Sequence, residues 1–352
     1  FIDGEAIQTA IAATPPLWSA RAVTRPGGNV QLGDVRWTTY VRDQDAEVAK
    51  ESHILDPKVE HLFQGTRVAL TVHALPGEEL LVHGSWLTSD RMELATTSIG
   101  KDRTSIELPH HRTAHMTFGG RVSNGGGLVV AARREGKQGM KFMFVVRARY
   151  LTPPPPRANN LFVFPATAWI HSTTTNGSLR SAWFVGQDRS VPHPLVEEVP
   201  LLSPHNLSAF LTHGAESNAS MTGSTLIVHD NAAVCARAEA ALQQLVDAQL
   251  QQCELRVEQS TRGEDLATSL VQPLLANMQS RAFIGTERAV IGDHDVEIAE
   301  DSSTSNPVVF TVRAGVWSRV TGHAMARAWN IEGIWRSTSQ RLLRNREQFG
   351  KP

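Results

Sequence analysis

The sequence predicts an α+β, strand-rich protein built from repeated modules, with one small βαβ unit among them. Three observations lead there. Residues 224–258 change period from two to 3.6 and back to two, which is the pattern of strand, helix and strand. The chain matches itself at an offset of 250 residues, from Asp43 to Asp293. Outside these stretches, alternating apolar runs are separated by Gly and Pro turns, the signal of hairpins.

The βαβ unit is the most legible element. Ser224–His229 alternates, with Leu226 and Val228 on one face. Asp230 or Asn231 offers a side-chain oxygen to cap a helix start. Val234, Ala238, Ala241, Leu242 and Leu245 then follow at the spacing of one helix face, with Gln243, Gln244 and Asp247 off that stripe. After a Gln-rich break, Cys253, Leu255 and Val257 alternate with Glu254, Arg256 and Glu258. The expectation is a helix covering one face of a sheet that holds both strands.

The repeat pairs residues 43–65 with residues 293–315 without a gap. Asp43/Asp293, Asp45/Asp295, Glu47/Glu297, Ala49/Ala299, Ser52/Ser302, Pro57/Pro307, Val59/Val309 and Gly65/Gly315 are identical. Average composition would give roughly one or two identities in such a window. With small gaps, Gly4–Ile11 parallels Gly263–Leu270, Ser19–Val23 parallels Ser280–Ile284, and His83–Trp86 parallels Glu332–Trp335. The account is one module used twice, the second copy being partial.

Within the first copy, Gly4–Ala13 reads as a short helix. Val68–Val72 and Leu80–Leu87 flank Pro76-Gly77 as a hairpin. Ser105–Leu108 and Arg112–Phe118 are two further strands, with Gly119-Gly120 and Gly125–Gly127 expected to break the chain. Leu128–Ala132 and Met140–Leu151 form another hairpin. Pro153–Pro156 is a stiff, extended spacer that joins no sheet ladder. Leu161–His171 opens a new unit with strand character, and Asn206–His213 reads as a short helix. Four spans result: a strand-rich module at 1–152, a Pro-rich linker at 153–160, an α/β unit at 161–258 and a partial second copy at 259–352.

Composition bounds the function. The 352 residues suffice for two or three domains, and 34 Lys+Arg against 35 Asp+Glu argue against a broad nucleic-acid surface. The chain starts at Phe1 and is read as a mature or partial polypeptide. No run of 18 apolar residues is present, a test to which a β-barrel is invisible. Cys235 and Cys253 flank the proposed helix, too far apart for a disulfide, so both are expected as free, mostly buried thiols.

Candidate chemistry is sparse. Asp43, Asp45, Glu47 and Asp293, Asp295, Glu297 place three carboxylates on one strand face in each copy, a set that suits Ca²⁺ or, more simply, a solvated face. His110, His111 and His115 are read as loop histidines rather than metal ligands. Gly119–Gly127 lacks the Gly-Lys-Ser/Thr ending of a phosphate loop. Arg341, Arg344 and Arg346 mark one face of a helix. Trp86 and Trp335 hold matching places in the two copies and are read as core. No catalytic, cofactor-binding or metal-binding residue is assigned, and no cofactor is expected.

Two stretches resemble a known family. The run Gly223–Leu245, preceded by Asn206–Gly214, is similar to the ring-building modules of bacterial secretins, where a strand leads into a helix ending in leucines and then into a charged strand. The hairpins of 66–151, with Gly125–Arg134 and Phe142–Leu151 at their end, resemble a secretin wall. The resemblance implies a homo-oligomeric ring or pore subunit of the bacterial cell envelope, in the periplasm or outer membrane. It implies other envelope proteins as further partners, no nucleic acid and no chemical step. The alternatives are a surface module binding carbohydrate or protein and, last, a hydrolase using the acidic strands.

Overall fold

Long alternating runs decide the architecture. Strands of 20 or more residues replace the usual five or six, because each copy carries its period-two pattern through the turn-forming residues without a helix break. The computed structural model describes residues 16–49, 52–99, 104–134, 140–151, 161–165, 219–222, 225–260, 267–299, 302–325 and 328–338. Among them the fold is β-rich and mostly antiparallel, with one α-helix. The α+β expectation is therefore met only in its coarse part, the richness in strand.

The largest sheet has seven strands in the order β1 (Gly28–Ala49), β2 (Ser52–Ala74), β3 (Glu79–Ile99), β4 (Thr104–Ser123), β12 (Gln279–Ala299), β13 (Ser302–Ala324) and β14 (Trp329–Thr338). A second sheet orders β10 (Gln252–Ser260), β11 (Ala267–Leu275), β5 (Gly127–Arg134) and β6 (Met140–Arg147). A third orders β7 (Leu161–Pro165), β9 (Thr225–His229) and β8 (Ala219–Thr222). The helix α1 spans Ala232–Gln249.

The seven-stranded sheet is amphipathic in its lower half. Val68, Val82, Trp86, Met116, Phe118 and Ile284 project from one face and bury against the second sheet, where Val130, Val146, Phe142 and Phe144 meet them. Trp86 stacks on Phe144 with ring centroids 5.7 Å apart. Leu75 and Leu81, on the opposite face, meet Leu242, Val246 and Leu250 of α1 together with Phe162, Phe164, Leu226 and Val228. The sheet is thus held between two apolar layers at one end.

Several sequence expectations are corrected. The strands on either side of α1 do not share a sheet: β9 pairs with β7 and β8, whereas β10 pairs with β11. An antiparallel partner close in sequence takes the edge of β10, so the expected βαβ unit parts into two sheets. Its local pieces hold: Asn231 Oδ1 accepts the Val234 N–H at 3.0 Å and starts the helix. The buried stripe is Cys235, Leu242 and Val246, with Val234, Ala238 and Leu245 beside it. The strands expected at 105–108 and 112–118 are one continuous β4. Gly119 and Gly120 do not break it. They let it pass beneath other elements, for a Cβ on Gly119 would sit 2.8 Å from Met278 Sδ and one on Gly120 2.6 Å from Leu128 Cδ2. The turn comes at Asn124-Gly125, where Gly125 has φ +85°.

The sheets also run across the spans read from the sequence. β4 pairs with β12, joining 1–152 to 259–352, and β11 pairs with β5. The helices expected at Gly4–Ala13 and Asn206–His213 and the spacer Pro153–Pro156 lie outside the described residues.

Candidate assembly surface

The pairing between neighbouring strands is uneven, and that unevenness defines the surface of interest. β1 and β2 pair from Gly28↔Val72 to the tip Ala49↔Ser52. β2 and β3 pair only from Ala74↔Leu80 to Gly65↔Ser89. β4 and β12 pair only between Met116↔Ala282 and His110↔Arg288. β3–β4 continues to Ile99↔Thr104, and β12–β13 to Ala299↔Ser302. Three two-stranded arms therefore extend from one sheet. The arm beyond Gly65 is roughly 50 Å long at about 3.3 Å per residue. Each arm carries a register shift: Val41/Asp43, Asp90/Glu93 and Ile291/Asp293.

The first and third arms are alike residue for residue. From Asn29↔Thr71 onward, adding 250 to each number of the β1–β2 register, including its shift and its tip, gives the β12–β13 register. The turns then differ by one residue, since Ala74 pairs with Leu80 but Ala324 pairs with Trp329. That difference is the gap needed to align His83–Trp86 with Glu332–Trp335. Trp86 faces Val68, and Trp335 faces Ser318, the residue 250 further on. The parallel of Ser19–Val23 with Ser280–Ile284 has no structural counterpart, because Ser280 lies in β12 and Ser19 precedes β1.

The first arm does not stand free. β1 lies against β4 and β13. Val41 N–H donates to Glu107 Oε2 at 2.9 Å, and Gln44, buried, donates to the Ser105 carbonyl at 3.4 Å. Ile106, Ala289 and Val309 form a small core at this level.

A polar network occupies the middle of the sheet. Glu287, buried, lies 3.5 Å from His111 Nε2 and 2.8 Å from Arg313 Nε. Burial acts to raise the Glu287 pKa, but the His111 hydrogen bond and the Arg313 charge outweigh it and hold the carboxyl below its ordinary value. Four positions along β4 on the same strand face, His115 is pushed down to about 4 by desolvation and by Arg313 and Arg281. Nearer the turn, His73 and His83 stack with Nε2 atoms 3.3 Å apart, and burial followed by the His73 charge pushes His83 down to about 3. This network was missed in the sequence. The signal lay in the alternation His111, Thr113, His115, Thr117, which marks one strand face.

The sequence candidates fall as follows. His110, His111 and His115 are in β4, not in a loop, and His111 is buried. The register puts Asp43 opposite Lys58, Asp45 opposite Asp56 and Glu47 opposite Ile54, all beyond the shift in the first arm. Asp293, Asp295 and Glu297 hold the same places in the third arm, opposite Val308, Asn306 and Thr304. Asp43 Oδ1 accepts the Gln44 N–H at 2.8 Å. The side chains of Asp45, Glu47, Asp293, Asp295 and Glu297 lie outside the described residues, as do Arg341, Arg344 and Arg346. Among the described residues no group of three or more His, Cys, Asp or Glu is placed to hold a metal ion. Trp86 is 3% exposed, which leaves no ring face for a sugar. Cys235 and Cys253 are free thiols, the first buried and the second half-buried, with burial raising the Cys253 pKa. No described helix is long and apolar enough to cross a membrane, a statement silent on β-barrels.

Compared with known proteins, the chain matches no family model, no curated protein and no solved structure.

Proposed function

We propose that this chain is a structural subunit of an oligomeric ring or pore in the bacterial cell envelope, similar in kind to the secretins, and that its work is mechanical rather than catalytic. One observation carries the reading: three long two-stranded arms leave a common sheet with their outer edges unpaired by any described strand. A strand edge with no strand beside it is a template for another strand. Repeating the subunit around a closed ring gives every arm a neighbour on both sides and leaves no exposed edge.

The duplication supports the same conclusion. Arms of matching register have the same length and the same shift, which suits them to serve as staves of one wall. The β4–β12 seam already joins one copy of the module to the next within a chain. Contacts with an outer membrane and with other envelope proteins belong to the same proposal.

Size-exclusion chromatography with light scattering, followed by electron microscopy of the purified particle, tests it. A cyclic oligomer with a central opening is expected. A species that stays monomeric at high concentration overturns the reading.

A further inference from the structure

We propose that β14 is a two-fold contact between copies of this chain, in which β14 of one copy pairs antiparallel with β14 of another about a centre at Ile334. β14 runs beside Gly315–Ala324 of β13, outside the arms, so the contact does not rest on the ring reading. The first observation is how bare the strand is. β13 is its one partner among the described strands. Every residue from Asn330 to Thr338 is exposed except Trp335, which packs against the main core. Ile331 and Ile334 are each 47% exposed. No Lys or Pro in Trp329–Thr338 guards the edge.

The duplication indicates what such an edge takes. Gly333 and Trp335 hold the places of Gly84 and Trp86 in β3. β3 has a strand on both sides, β2 and the antiparallel β4, and β4 sets Phe118 opposite Gly84. β14 has β13 on one side and no described equivalent of β4 on the other.

The sequence of β14 complements itself. Antiparallel pairing about Ile334 sets Glu332 opposite Arg336 and Arg336 opposite Glu332, on the face where Ile334 meets Ile334. On the other face Gly333 meets Trp335, an aromatic ring over a glycine, as Phe118 is to Gly84. Asn330 meets Thr338. No other antiparallel centre within Asn330–Thr338 brings these two charges together, so the register is fixed by charge and the interface is isologous. The contacts within the chain are compatible with this. Arg336 lies over the Trp317 ring, and Glu332 accepts a hydrogen bond from Asn330 Nδ2 at 3.2 Å. A guanidinium and a carboxylate each keep further hydrogen-bonding sites for a partner across the edge.

Two measurements on the full-length chain test it. In the first, Ile334→Cys and Ile331→Cys, each with Cys253→Ser, are oxidised with copper phenanthroline. Ile334 faces its own copy, so Ile334→Cys is expected to give a disulfide-linked dimer at least tenfold faster than Ile331→Cys, whose copies stand about 20 Å apart at roughly 3.3 Å per residue. In the second, sedimentation follows Glu332→Arg and Arg336→Glu. Each variant alone sets like charges opposite one another and is expected to weaken self-association at least tenfold. An equimolar mixture of the two sets opposite charges together again and is expected to restore pairing as a mixed dimer. Single variants that associate like the parent, or a mixture that restores nothing, overturn the inference. So does equal oxidation of the two cysteine variants, or none. Higher oligomers that persist unchanged in the single variants, with no Ile334→Cys disulfide, sink this contact and leave the ring reading intact. Monomers alone, in the parent as well, remove both.

Discussion

Gly84 and Gly333 stand at the same point of two hairpins and face equivalent backbone carbonyls. A Cβ on Gly84 would lie 2.0 Å from the Ala69 carbonyl oxygen, and one on Gly333 would lie 2.5 Å from that of Arg319. Arg319 is the residue 250 beyond Ala69. The close approach of the two strands at this row is thus built twice, by glycine each time. A methyl group at either place must push the strands apart.

A second pair of glycines sets where the arms leave the sheet. Gly65 is the last residue of β2 paired with β3, and Gly315 is the last of β13 paired with β14. Gly65 has φ +127°, and a Cβ there would sit 2.0 Å from the Asp34 carbonyl oxygen. Gly65→Ala is expected to cost about 1–3 kcal/mol, read as a lower urea midpoint with an unchanged slope. Gly315→Ala, whose Cβ would meet Ile284 O at 2.3 Å, is expected to weaken assembly as well.

The matching tryptophans are expected to differ in weight. Trp86 is buried between Phe142 and Phe144, so Trp86→Ala should cost about 3–5 kcal/mol. Trp335 is only partly buried against the same core, and its truncation should cost about half as much. Equal losses in thermal unfolding would contradict this account.

Arg121 fastens α1 to the sheet. Its guanidinium reaches Glu79 and, at 2.8 Å, Asp247 on the helix, while Gln252 Oε1 accepts its backbone N–H at 2.6 Å. Asp247 is half exposed, so solvent screens part of the gain. Arg121→Met is expected to cost about 1–2 kcal/mol and to speed amide exchange in α1 more than in β2.

Acid should loosen the fold. His83 and His115 have folded-state pKa values near 3 and 4, below the ordinary 6.5, so the unfolded chain binds more protons between those limits. Stability is full above pH 6.5 and falls as pH drops, by up to about 1.4 kcal/mol per pH unit for each group. His115 keeps some solvent contact and contributes less. Glu287, also lowered, adds loss of the same sign at lower pH, below its ordinary value of 4.5. Urea midpoints at about pH 7 and pH 5 check this; His83→Gln should flatten the difference.

The site was only half legible beforehand. Identical residues in two stretches exposed the duplication of the arm, because identity is a one-dimensional signal. His111 and Glu287 gave no such sign: they are opposite one another only because β4 meets β12, and no local pattern states that pairing. The same holds for β10. Its alternation marks it as a strand, but its choice of β11 over β9 depends on which edge is nearer in the folded chain.

What the sequence by itself determined is therefore local: the Asn231 cap, the apolar stripe of α1, the turn at Pro76-Gly77 and the period-two runs, each fixed by neighbours a few residues away. What only the tertiary structure decided is which strands pair and how far. Those hydrogen bonds are between backbone groups common to every residue, so partner choice falls to burial. Between the edge strands β1 and β14 that choice is the joint outcome of the whole sheet.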